Sequence, residues 1–254
     1  MKNLPAKTLF DIPLPTDDKK TILEKIKKNI DHPALFFHIV SLNPEIIELT
    51  KQQKKFKEIV KSAQMHIVDG TGIVLAANLL HIPVAPRLSG VDLLRELLDL
   101  AGHMRLRVVL IGGKSKVANV VAECYQQKYP EAQFIGLEGI HSIQNPQKKE
   151  NEAIFSIVAA TRPHFVFVSF GSPWQELWIE QHQTELKYAV CMGVGGSFDF
   201  ISGNVARAPA VFRAIGLEWL FRLLRQPWRW KRQLRLLQFI RDILYLKIFK
   251  GIFS

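Results

Sequence analysis

The sequence predicts an α/β fold, a parallel sheet with helices on both faces, followed by a helical C-terminal appendage. Three observations carry this. From about residue 17 to 200, helical stretches alternate with short apolar runs, the order that layers a parallel sheet between helices. Those runs are rich in Val, Ile and Phe with little polar alternation, as strands covered on both sides require. Beyond about residue 205 no further strand pattern occurs.

The strand candidates are residues 35–40, 65–68, 106–111, 133–135, 164–169 and 188–192. Between them, helix starts are readable: Ser89 followed by Asp92, and Ser172-Pro173 ahead of residues 174–182, where Ser172 and Gln175 have capping-box spacing. After residue 205, Gly216 and Gln226-Pro227 break the chain into two or three helices. The expected division is a core of residues 1–205 and an appendage of residues 206–254.

With 254 residues and 48% hydrophobic content, the chain has enough apolar material for one large core, and a disordered or fibrous chain is excluded. Cys124 and Cys191 have neither disulfide-framework nor zinc-site spacing, which fits a reducing compartment. Asp11, Pro13, Pro15, Asp17 and Asp18 interrupt any apolar leader, so no signal peptide is expected. No apolar run is long enough to span a bilayer. Charge is uneven: residues 211–254 hold ten Lys/Arg against Glu218 and Asp242, so they carry +8 of the total +11. Arginines interleave there with tryptophans and leucines, which suits an anionic lipid surface, where each cation contributes about 1 kcal/mol. Leu237, Ile240, Leu244 and Ile248 form one helical stripe, while Phe239, Leu246 and Phe249 fall elsewhere, so a helix packed against a second surface, core or subunit, is also open. Nucleic acid is not expected, because no recognition motif accompanies the basic residues.

In such sheets, ligands bind beyond the carboxyl ends of the strands, and four polar segments fall there. Ser41 and Asn43 follow the first strand candidate, as ligands or as helix caps. Asp69-Gly70-Thr71-Gly72 follows the second: Asp69 is either a general base or a cap, and the glycines would let substrate approach the backbone. Arg87 either clamps an anion or is solvated or paired. Gln175 is either a ligand or half of the capping box. Gly193-Val194-Gly195-Gly196-Ser197-Phe198-Asp199 is a turn of the kind that cradles a pyrophosphate, but Phe198 stands where a dinucleotide fingerprint needs glycine. Neither a P-loop nor a D-x-D metal pair is present, so no metal and no cofactor are expected.

Taken together, Asp69–Gly72, Arg87-Leu88-Ser89-Gly90-Val91-Asp92-Leu93, Ile111-Gly112-Gly113, Gly171-Ser172-Pro173-Trp174-Gln175-Glu176, the glycine turn at 193–199, Arg207-Ala208-Pro209 and Gly216-Leu217-Glu218-Trp219-Leu220-Phe221-Arg222 resemble the WecG/TagA/CpsF bacterial glycosyltransferases. The resemblance runs in family order over roughly residues 35 to 235. It implies a Rossmann-like core and an inverting, metal-independent transferase. Such enzymes move N-acetylmannosamine, its uronic acid or another hexose from a UDP-sugar to an undecaprenyl-diphosphate-linked sugar, usually GlcNAc, in teichoic acid, enterobacterial common antigen or exopolysaccharide synthesis. By the same resemblance, Asp69 is the base, and Ser41, Asn43, Arg87, Gln175, Gly195 and Gly196 line the substrate site. Ser41 departs from the family's threonine. Arg222, Arg229 and Arg232 match the appendage arginines that close over the donor diphosphate. A cytoplasmic enzyme, peripheral on the inner face of the cell membrane and in monomer–oligomer equilibrium, is implied. Two other readings of the residues are a nucleotide-cofactor oxidoreductase and a non-enzymatic basic adaptor for membrane or nucleic acid.

Overall fold

The computed structural model describes residues 8–114, 116–214, 216–227 and 230–250, with Ala214, Lys231, Arg232, Phe249 and Lys250 described by backbone alone. It opens with a hairpin the sequence pattern did not announce, β1 (Thr8–Leu9) and β2 (Ile12–Pro13). The turn places Phe10 and Asp11 at φ 52° and 66°. Two-residue hairpin turns with positive φ are usually marked by Asn-Gly or Asp-Gly, so Phe-Asp gives no sequence signal.

The six expected strands all form, as β3 (Phe37–Leu42), β4 (Met65–Val68), β5 (Arg107–Gly112), β6 (Gln133–Leu137), β7 (Phe165–Ser169) and β8 (Val190–Gly193). They pair in the order β4-β3-β8-β7-β5-β6, and every pair is parallel. β3 and β8 each begin two residues later than the pattern suggests. The chain before them, at Leu35 and Tyr188, is exposed and joined by one backbone hydrogen bond. Alternate residues serve opposite faces. Val108 and Leu110 meet α1 (Lys19–Asp31), α5 (Gly90–His103) and α6 (Val117–Lys128) on one side. Val109 and Ile111 meet α7 (Lys148–Thr161) and α8 (Trp174–Gln181) on the other. The remaining half of that second face is covered by α2 (Pro44–Gln52), α3 (Lys54–Ser62) and α4 (Thr71–Leu79). This is the Rossmann-like arrangement of a doubly covered parallel sheet.

Helix starts follow local chemistry. Ser89 caps α5, its Oγ accepting from Asp92 N at 3.2 Å, and Asn43 caps α2, its Oδ1 accepting from Ile46 N at 3.0 Å. The Ser172/Gln175 box does not form: Pro173, with no capping group, takes the N-cap of α8 and frees Gln175 for another task.

After the short α9 (Ser197–Ile201), the described chain beyond residue 205 is helical: α10 (Ala210–Ala214), α11 (Glu218–Arg225) and α12 (Trp230–Lys250). The expected breaks are where the sequence places them, with Gly216 at φ 75° and Gln226 closing α11. The long helix lies along α2. Phe239 and Ile243 are buried in the same cluster as Ile46 and Ile73, and Arg235 meets Glu45 at 2.6 Å. Its other apolar stripe, Leu237, Ile240, Leu244 and Ile248, stays exposed.

Candidate active site

The carboxyl ends of four neighbouring strands lie side by side: Leu42 pairs with Val68 and Val168 with Gly193, while β3 runs two residues past the end of β8. Above them lies a cleft of about 910 Å³, within the usual size of a small-molecule site. Ser41, Asn43, Asp69, Arg87, Gln175, Gly195, Gly196 and Arg222 all line it, so the four segments singled out in the sequence converge. The glycine pair at the end of β5, Gly112-Gly113, is not part of its lining. Arg229 lies outside the described residues, and so does the side chain of Arg232.

Asp69 follows β4 directly. Its Oδ1 accepts from Gly90 N at 3.0 Å rather than capping α4, whose N-cap is Gly70. Burial pushes its carboxyl above the ordinary carboxylate range, Glu218 and Asp92 push it further, and the Gly90 N–H and Arg87 pull it back. A carboxylate raised in this way has the proton affinity a general base needs. The neighbouring glycines line the cleft and also pack closely: a Cβ at Gly70 or Gly72 would stand 2.7 Å from the Pro44 ring. Ser41 Oγ is buried with no hydrogen-bond partner among the described residues, and Asn43 spends its Oδ1 on the cap.

Arg87 ties Asp69 to α11. Its Nε donates to Asp69 O at 2.7 Å and its Nη2 to Glu218 Oε2 at 3.0 Å. Glu218 also pairs with Arg207 at 3.4 Å, and Arg207 grips Asp92 by two hydrogen bonds of 2.6 and 2.8 Å. Thr71 Oγ1 donates to Gly216 O at 3.2 Å. Hydrogen bonds from Arg207, foremost, hold the Asp92 carboxyl down to about 2. Its folded value lies below the unfolded one, so the stability it adds is complete above the ordinary carboxylate value and lost as pH falls from there through about 2. Asp92 is 46% exposed, so solvent screening trims the effect to about 1–2 kcal/mol. Asp92→Asn is therefore expected to lower unfolding stability by about that much at neutral pH, with the gap closing in acid. Urea titrations at both pH values check this, and a gap unchanged in acid would refute it.

Gln175, 4% exposed, joins the two loops that form the far wall. Its Oε1 accepts from Gly171 N at 3.2 Å and Gly195 N at 2.9 Å, and its Nε2 donates to Ser172 Oγ at 3.2 Å and Glu176 Oε1 at 2.7 Å. A Cβ at Gly193 would stand 2.5 Å from that amide nitrogen, so the strand end must be glycine. Gln175→Leu leaves two backbone N–H groups unpaired in a buried setting, and a loss of about 2–4 kcal/mol in unfolding free energy is expected by denaturant titration. A loss below about 0.5 kcal/mol would show that the loops do not depend on it.

Arg222, from α11, reaches over the glycine turn. Its guanidinium lies 4.7 Å from the centre of the Phe200 ring, and its Nη2 is 2.5 Å from where a Cβ at Gly196 would stand. The glycine turn thus leaves room for a cation at its rim. Sequence reasoning gave no role to Glu218, Arg207, Phe200 or Glu176. Glu176 lines the cleft at 3% exposure, its Oε2 has no hydrogen-bond partner among the described residues, and burial pushes its carboxyl up. Its one visible signal is a charge set among the apolar residues of α8. Among the described residues, no cluster of three or more His, Cys, Asp or Glu is placed to hold a metal ion.

The sequence model of the glycosyl transferase WecG/TagA/CpsF family matches residues 7–251. The chain is 29% identical over 239 residues to an N-acetylglucosaminyldiphosphoundecaprenol N-acetyl-beta-D-mannosaminyltransferase of Bacillus subtilis (strain 168), covering 94% of this chain and 91% of that one. It is 34% identical over 206 residues to the enzyme of the same name from Bacillus spizizenii, covering 81% and 78%. A Staphylococcus aureus (strain MW2) enzyme of that name is 34% identical over 194 residues, covering 76% and 73%. With a carboxylate at the strand ends, a cation at the glycine turn and a family match over nearly the whole chain, this protein belongs to the WecG/TagA/CpsF glycosyltransferases.

Proposed function

We propose that the chain transfers an N-acetylmannosamine-type sugar from a UDP donor to a GlcNAc unit carried on a polyprenyl diphosphate, with inversion and without a metal ion. The observation that carries this reading is that Asp69 and Arg222 line one cleft above the strand ends. Asp69 takes the proton from the acceptor hydroxyl as that oxygen attacks the anomeric carbon, and UDP leaves from the opposite face. Departing UDP gathers negative charge, which Arg222 meets beside the glycine turn, joined by Arg229 and Arg232 from the same appendage. The three relatives named above carry this acceptor and this sugar in their names, which favours linkage-unit or cell-surface polysaccharide synthesis.

No described helix is long and apolar enough to cross a membrane. The basic residues of 211–254, with exposed Trp219, Leu224 and Trp230, suit a peripheral position on the inner leaflet. A monomer–oligomer equilibrium belongs to the same reading. The deciding experiment offers UDP-ManNAc, UDP-ManNAc uronic acid, UDP-GlcNAc and UDP-glucose with a short-tailed GlcNAc-diphosphate lipid, in buffer containing EDTA. Release of UDP with UDP-ManNAc, with inverted configuration in the product, is expected. Release from none of the four donors would sink the proposal.

A further inference from the structure

The cleft does not end at its polar residues. It continues between α4 and α12, where its lining is Leu75 and Leu79 from one helix and Leu236, Ile240 and Leu244 from the other. The two helices run side by side in the same direction. Leu236 packs at Gly72, its Cδ1 3.9 Å from where a Cβ would stand, and Lys247 Nζ comes within 3.4 Å of His81 Nε2 just past the end of α4. At the rise of an α-helix these two contacts lie about 15 Å apart. Phe239 and Ile243, joined to Ile73 and Ala76 in the core, close the bottom. The walls are wet: Leu75 is 69% exposed, Ile240 46% and Leu244 51%.

Aliphatic walls of this kind, continuous with a polar site, are costly to leave in water and mark a ligand that is itself polar at one end and apolar at the other. We infer that this trough holds the first isoprene units of the acceptor's polyprenyl chain, drawn out of the bilayer and laid between α4 and α12, so that its sugar reaches Asp69. The inference rests on the acceptor proposed above. Asp69 at the polar end and aliphatic walls leading away from it match an acceptor that is a sugar at one end and hydrocarbon at the other, while Arg222 stays with the donor. A flat membrane-contact face would have no need to open into the site, whereas these side chains line the same cavity as Asp69. Ile240 and Leu244 turn the inner edge of the exposed stripe into the cleft, whereas Leu237, on the same helix and 63% exposed, does not line it.

Binding of prenyl diphosphates, with no sugar transfer involved, tests the trough separately from the reaction. Geranyl, farnesyl and geranylgeranyl diphosphate are titrated in detergent-free buffer against the full chain, Leu75→Gln, Ile240→Gln and the control Leu237→Gln. Affinity is expected to rise with chain length. Leu75→Gln and Ile240→Gln should each weaken the longest ligand about ten-fold, while Leu237→Gln leaves it unchanged. All three positions are solvent-exposed, so folding should survive each change. Equal affinity for the three lengths, or an equal loss in Leu237→Gln, would overturn the trough. So would trough variants that lose binding to phosphatidylglycerol vesicles yet keep wild-type affinity for the prenyl diphosphates. If binding follows the expected pattern while no donor is turned over, the proposed reaction fails and the trough stands.

Discussion

Asp69→Asn is expected to lower kcat by about 10²–10⁴-fold while leaving the thermal transition unchanged or raised. The amide keeps the oxygen that accepts from Gly90 N, so local geometry is retained. What disappears is proton affinity. The folded Asp69 value lies above the unfolded one, so the ionised carboxylate costs stability above the folded value, and the cost vanishes below the ordinary carboxylate range. Asparagine never ionises and carries no such cost, so any gain in stability should appear at neutral pH and fade in acid. In the wild type, kcat/KM should fall as pH drops through the raised value, because the base is then protonated. Steady-state rates and differential scanning calorimetry on the same samples check both halves. Near wild-type turnover removes Asp69 from the chemistry, and a collapsed thermal transition makes its role structural.

The second large effect is expected at Arg222. Removing one preorganised cation from a site of developing charge costs about 10²–10³-fold in kcat, so Arg222→Ala should fall in that range, and Arg222→Lys should recover only part of it. A lysine keeps the charge but not the flat group that lies over Phe200. Gly196→Ala should act in the same direction but more weakly, because the new methyl meets the far end of a flexible side chain. Turnover measured against donor concentration decides it. A change confined to the acceptor KM would place Arg222 elsewhere in the reaction.

The sheet was legible because its strands are buried on both sides, and Val, Ile and Phe runs such as Val108–Ile111 and Phe165–Val168 announce that burial. The opening hairpin was not legible, because Phe10-Asp11 lacks the residues that mark such turns. At the site, the position of Asp69 could be read from its place after a strand, but its surroundings could not. Arg87 finds Glu218 131 positions away and Arg207 finds Asp92 115 away, and no local window joins them. Gln175 shows the opposite case: its spacing from Ser172 suggested a cap, while tertiary contacts with Gly171 and Gly195 gave it a different role.

The bridge from Arg87 through Glu218 makes α11 part of the electrical surroundings of Asp69. Burial does most to lift the proton affinity of Asp69, and Glu218 adds to it by offsetting the charge of Arg87; displacing α11 would remove that contribution and lower the affinity. By linkage, whatever seats the helix strengthens the base by the same free energy, and a proton on Asp69 in turn favours seating. Under the proposed reaction, such wiring would keep the base weak until the roof is on and spare an activated sugar from water.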